Sequence, residues 1–160
     1  MRSNTNVLID GLTFTEGPRW NQNKLYFSDF FTHRVLSVDL EGNLETIVET
    51  PYQPSGLGWL PDGTLLIVSM NDQKLLSYKN NELDEVADLS KLASHYCNDM
   101  VVDKKGNAYI GNFGFDLHAG EQIKPTNLIL VRPGEEPVEA AENLLFPNGT
   151  VITPDDKTLI

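Results

Sequence analysis

Residues 55–69 read SGLGWLPDGTLLIVS, from Ser55-Gly56-Leu57-Gly58-Trp59 through the turn Pro61-Asp62-Gly63 to Leu65-Leu66-Ile67-Val68-Ser69. The last five residues are apolar almost throughout and read as a strand. The same grammar of a polar residue, a strand, a turn and a second strand recurs on either side. Glu16-Gly17-Pro18-Arg19-Trp20 precedes Leu25-Tyr26-Phe27-Ser28-Asp29, Asn98-Asp99-Met100-Val101-Val102 precedes Ala108-Tyr109-Ile110-Gly111-Asn112, and Asn148-Gly149-Thr150-Val151-Ile152 precedes Leu159-Ile160. Leu25, Leu65, Ala108 and Leu159 align, at steps of 40, 43 and 51 residues. An all-β repeat of roughly 40 to 50 residues is the mark of a β-propeller, each repeat being one four-stranded blade.

The rest of each repeat completes a blade. In the first, Lys24–Asp29 and Arg34–Leu40 read as strands, Glu41-Gly42-Asn43 as a tight turn, and Leu44–Glu49 as the outer strand. In the second, Lys74–Tyr78 is the third strand; in the third, Asp103-Lys104-Lys105-Gly106-Asn107 is the first turn. Phe113–Thr126 is an insertion that accounts for the step of 51, and a long propeller loop is a usual place for substrate contacts. Val7-Leu8-Ile9 suits an outer strand closing the ring. The count is about three and a half blades of a larger ring, so residues 1–160 are expected to be one propeller domain truncated at its C-terminal end. A raw edge there would favour self-association.

With a formal net charge of −11 and pI near 4.5, nucleic acid and anionic membrane surfaces are excluded as natural partners. No apolar run approaches a membrane span, and the segment from Met1 lacks the apolar stretch of a secretory signal, so a cytoplasmic location is expected. The single cysteine, Cys97, excludes an intramolecular disulfide and a thiolate zinc cluster. Beside Asn98 it reads as a small buried hydrophobe rather than a nucleophile. His33, His95 and His118 lack metal-ligand spacing; His118, in the long loop, is the candidate substrate contact among them.

The repeat alignment places Glu16, Ser55, Asn98 and Asn148 at one position, the start of the innermost strand of each blade. Innermost strands line the central channel, so these side chains should converge although they are distant in sequence. A carboxylate with carboxamide oxygens is a hard ligand set suited to Ca²⁺, Mg²⁺ or Mn²⁺. Alone, Glu16, Asn98 and Asn148 each read as a turn former. The shared register turns them into a candidate metal or small-molecule site.

Thr15-Glu16-Gly17-Pro18-Arg19-Trp20, Cys97-Asn98-Asp99-Met100-Val101-Val102-Asp103, and Phe146-Pro147-Asn148-Gly149 with Pro154-Asp155-Asp156-Lys157-Thr158-Leu159 resemble the SMP-30/gluconolactonase/LRE family of six-bladed propellers. The resemblance runs from about Gly11 onward. It implies a lactonase-type hydrolase with a lactone or ester substrate, and a catalytic divalent cation, usually Ca²⁺, with Zn²⁺, Mn²⁺ or Mg²⁺ accepted by some members. By the same resemblance Glu16 and Asn148 are direct metal ligands, and Asn98 is a ligand or a substrate contact. The family completes the site with an aspartate of a later blade, beyond Ile160, as ligand and base or nucleophile. Sugar-lactone members often carry an arginine where this chain has Tyr96, so Tyr96 is a candidate substrate contact and gluconolactone is less secure than lactones as a class. Phe113 and Phe115 suit either the core or a partly apolar substrate. The competing functions are a non-catalytic propeller that binds a small molecule or a metal, and a phosphotriester hydrolase on the same centre.

Overall fold

The computed structural model describes residues 6–160, and these form three four-stranded antiparallel meanders, each strand pairing with the next in sequence. The first blade holds β1 (Thr15–Asn21), β2 (Lys24–Asp29), β3 (Arg34–Val38) and β4 (Leu44–Glu49). The second holds β5 (Pro54–Trp59), β6 (Leu65–Ser69), β7 (Lys74–Lys79) and β8 (Glu82–Asp88). The third holds β9 (Cys97–Val102), β10 (Ala108–Asn112), β11 (Pro125–Val131) and β12 (Val138–Leu145). A fourth begins after it: Ile152 bridges Leu159, and Val151 and Ile160 exchange backbone hydrogen bonds of 2.9 Å. The propeller expected from the repeat is therefore the fold. Among the described residues no helix is long and apolar enough to cross a membrane.

Hydrophobic cores lie between blades, and the period of two in each strand decides which core a side chain enters. On β6, Leu65 and Ile67 face the first blade, where they meet Val35, Tyr26 and Val48. Leu66 and Val68 face the third, where they meet Met100, Ala108, Ile110 and Ile129. A strand covered on both faces must be apolar at every position, which is why 65–68 shows no alternation. Outer strands have one covered face at most, and β12 is exposed over nearly its whole length.

The turns repeat as closely as the strands. Asp39 Oδ1 accepts from the backbone N–H of Glu41 and Asn43 at 3.0 and 2.9 Å, and Asp103 Oδ1 accepts from Lys105 and Asn107 at 2.9 Å each. Gly42 and Gly106 take φ of +87°, a left-handed conformation in which a Cβ would clash with the backbone.

Three expectations are corrected. Val7-Leu8-Ile9 forms no strand; Ile9 and Leu12 instead pack on Phe27, Leu36 and Val38, covering the outer face of the first blade. The insertion is shorter than its sequence limits, because β11 begins at Pro125 and extends the Asn127 strand backwards. The third strand of the first blade ends at Val38, where Asp39 turns the chain.

Candidate functional site

Each inner strand is kinked at the position the repeat singles out. Pairing with the second strand slips between Glu16 and Arg19 in β1, between Pro54 and Leu57 in β5, and between Cys97 and Met100 in β9. A bulge bends its strand and re-aims a side chain, and here three of them act on Glu16, Ser55 and Asn98. These residues and Asn148 line one cavity of about 370 Å³, whose walls include Phe14, Phe30, Phe31, Met70, Phe113, Leu117, His118 and Phe146. Tyr96 stands behind that wall, its ring 6.1 Å from those of Phe113 and His118 and 4.2 Å from that of His95.

Glycines allow the inner strands to approach closely. A Cβ on Gly17 would lie 2.6 Å from the Ser55 carbonyl oxygen, and one on Gly56 would lie 2.8 Å from the Asp99 carbonyl carbon and closer still to the Met100 nitrogen. The first and second blades thus each seat a glycine on the next blade's inner strand. Asp99 breaks the series, standing where the other copies have Gly17, Gly56 and Gly149. It is buried, and Arg19 Nη2 donates to its Oδ1 at 2.7 Å while also reaching the Met100 carbonyl oxygen. This ion pair ties the first blade to the third across the ring.

The electrostatics favour a cation. Burial pushes the Glu16 carboxyl above its usual range, the negative charge of Asp99 adds to the rise, and the Gly17 N–H opposes it in part. Ser55 Oγ and Asn98 Nδ2 are buried without a hydrogen-bond partner. Buried polar atoms without partners are rare and costly, so these two need an explanation. A half-turn of the Asn98 carboxamide exchanges its oxygen and nitrogen, so the group can present either to the cavity. One carboxylate, two carboxamides and a hydroxyl form a hard oxygen donor set that fits Ca²⁺ or Mg²⁺. Among the described residues no three His, Cys, Asp or Glu side chains come together, so a cation site in these blades depends on the carboxamides.

A second ring of polar residues lies one strand outward from the first. Asp29, Ser69 and Asn112, the last residues of the second strands, are all buried. Asn112 Nδ2 donates to the Asn127 backbone oxygen at 2.9 Å and its Oδ1 accepts from Thr126 Oγ1 at 2.6 Å. Burial pushes the Asp29 carboxyl up, but hydrogen bonds from Thr13 Oγ1, Thr32 Oγ1 and the Thr13 and Phe14 N–H groups outweigh it and hold it at about 2. Its ordinary value is 3.8, so the stability it contributes is full above about pH 4 and is lost as pH falls towards 2. Asp29→Asn should flatten the fall of the thermal midpoint across that window. An unchanged slope would remove Asp29 as its source.

Sequence reasoning passed over this second ring, although Asp29, Ser69 and Asn112 close corresponding strands in the repeat. It also missed the Arg19–Asp99 pair, whose signal was an acidic residue in a glycine position. Cys97 is fully buried and its thiol is pushed up to about 12 by burial, with Asp72 adding to the rise, so it is inert as expected.

The family model for the SMP-30/Gluconolactonase/LRE-like region matches residues 14–160, from the strand bearing Glu16 through the start of the fourth blade. The chain belongs to this family. No curated protein matches the sequence. Among solved structures, a gluconolactonase of Xanthomonas campestris superposes with a TM-score of 0.80 at 22% identity, over 95% of this chain and 55% of that one. Regucalcin of Agrobacterium tumefaciens, a calcium-binding protein, superposes at 0.74 with 21% identity, over 94% and 50%. A chain of the nidogen–laminin complex superposes at 0.74 with 17% identity, over 91% and 55%. At these identities the likeness shows the fold, and this member of the SMP-30/Gluconolactonase/LRE-like family spans about half the length of those structures.

Proposed function

We propose that the protein is a divalent-cation-dependent hydrolase that opens lactones. The observation that carries this reading is that Glu16, Ser55, Asn98 and Asn148, equivalent residues of four successive repeats, line one cavity in which two buried polar atoms lack partners. Family membership and the gluconolactonase and regucalcin likenesses support it.

Glu16, Asn98 and Asn148 would hold the cation, and their hard oxygen donors suit Ca²⁺. When bound, it supplies Lewis-acid polarisation of the ester carbonyl. Ser55 Oγ, buried and unpartnered, is placed to donate a hydrogen bond to oxygen atoms held there. The Arg19–Asp99 pair fixes the floor beneath Glu16 and keeps a second negative charge nearby without a second ligand. The reaction adds a water oxygen to the carbonyl carbon, breaks the acyl–oxygen bond and returns a proton to the ring oxygen, giving a hydroxy acid. The proposed base is an aspartate of a further blade, since Glu16 is the one carboxylate among the described residues of the cavity.

Hydrolysis of a lactone panel with Ca²⁺, and again after chelation, tests the reading; chelation should abolish turnover. Full activity without a cation would overturn the metal dependence. The same single-carboxylate lining favours one competing reading, a propeller that binds a small molecule without turning it over; it predicts ligand binding and no hydrolysis. Phosphotriesters in the same panel test the remaining alternative.

A further inference from the structure

The cavity has two chemically distinct parts. Its floor is polar, made by Glu16, Ser55, Asn98 and Asn148. Its walls are aromatic, and they come from two sides. On the first blade, Phe14, Phe30 and Phe31 form an edge-to-face cluster with ring centroids 5.0 to 6.2 Å apart, carried by the 3-10 turn Phe30–Thr32 and the chain leading into β1. Opposite them, Phe113 and Phe146 meet edge to face at 4.7 Å, with Leu117 above.

Both walls keep apolar side chains accessible. Phe14 and Phe31 are 51% and 63% exposed, and Leu117 is 52% exposed. Phe14, Phe31 and Leu117 thus present apolar surface to the same cavity that Glu16, Ser55, Asn98 and Asn148 line, and apolar walls around a few convergent polar groups are the make-up of a ligand site. No arginine or lysine is among the described residues lining the cavity, and His118 is the one ionisable side chain on its rim besides Glu16 on the floor.

We infer that the substrate is a cyclic ester bearing an apolar chain or ring, and not a polyhydroxylated sugar lactone; this rests on the lactone-hydrolase reading of the same site. The ester sits on the polar floor, and the substituent lies between the Phe30–Phe31 and Phe113–Phe146 walls. A sugar lactone placed there would set its hydroxyls against phenyl rings, each losing water without gaining a partner. An alkyl or aryl substituent loses only its apolar contact with water. Discrimination of this kind, summed over several hydroxyls, is on the order of 100-fold.

The test compares δ-valerolactone, δ-decalactone and glucono-δ-lactone in kcat/KM, and calorimetric binding of the matching lactams, which do not hydrolyse readily. Decalactone should exceed gluconolactone by about 100-fold, and the lactams should bind in the same order. In Phe31→Ser the ratio of decalactone to valerolactone should fall about tenfold; because it is a ratio, loss of folded protein cancels from it. Gluconolactone preferred, or a ratio unmoved by Phe31→Ser, overturns the inference and leaves the hydrolase reading standing. Preferential binding of the alkyl lactam with no turnover of any lactone overturns the hydrolase reading and upholds the apolar specificity. Equal binding of all three lactams overturns the inference.

Discussion

Replacing Glu16 with glutamine is expected to weaken divalent-cation binding on the order of 100-fold and to remove lactone hydrolysis with it, while the thermal midpoint without cation rises or stays level. The affinity loss follows from ligand charge: Glu16 is the one carboxylate among the described cavity residues, and a neutral amide of the same shape keeps the oxygen but not the charge. The gain in stability follows from the direction of its titration. Burial and the neighbouring Asp99 raise the Glu16 carboxyl, so its ionised form costs stability that a cation restores. Stability from this group is full below its unfolded value of 4.5 and declines as pH rises through the higher folded value. Cation binding should show the opposite slope, weakening as the carboxyl takes up its proton. Titration calorimetry for binding and thermal melts for stability, each at several pH values, measure the two slopes. Unchanged affinity in Glu16→Gln would remove the residue from the set of ligands.

Gly56→Ala is expected to be among the most damaging single substitutions in the chain, costing about 3 kcal/mol or more. A methyl group at that position would meet the backbone of Asp99 and Met100, and backbone cannot swing aside as a flexible side chain can. The φ of Gly56 is not positive, so strain of conformation plays no part, and the loss reports the distance between neighbouring inner strands alone. Gly63→Ala is the control, because a Cβ there meets nothing within 4 Å and the left-handed φ of +84° is its one cost; it should lose about 1 kcal/mol. Chemical denaturation of the two variants measures the difference. Equal stabilities would mean that the inner strands do not pack through Gly56.

The two substitutions show which parts of the molecule can be read in one dimension. The blade grammar was legible because one strand-turn-strand pattern recurs at steps of 40, 43 and 51 residues; the structure adds why Leu65–Val68 is apolar at each position, since one pair faces the first blade and the other the third. The convergence of Glu16, Ser55 and Asn98 was legible for a related reason. Repeats that pack by the same geometry send equivalent positions to the same axis, so register alone brought them together before any distance was known.

Other features were hidden because they depend on contacts between repeats that no local pattern encodes. The pairing of Arg19 with Asp99 spans 80 residues, and the acid in a glycine position marks Asp99 as unusual without naming its partner. The aromatic wall of Phe14, Phe30 and Phe31 is equally obscure in sequence. Phe30 and Phe31 sit in a turn, where exposed aromatics carry no periodic signal, and Phe14 precedes the first strand. Val7-Leu8-Ile9 misled in the opposite way. Its apolar run satisfies a strand pattern, but Ile9 and Leu12 find their partners by lying across Phe27, Leu36 and Val38, where burial needs no ladder.

The proposed cation site is the point on which the rest depends. Anomalous diffraction from crystals grown with Mn²⁺ in place of Ca²⁺ locates a bound cation without reference to activity. A single strong peak bounded by Glu16, Asn98 and Asn148 is the predicted result. A peak in the acidic groove by Asp88 and Glu135 with none at Glu16, or no peak at all, would contradict the account.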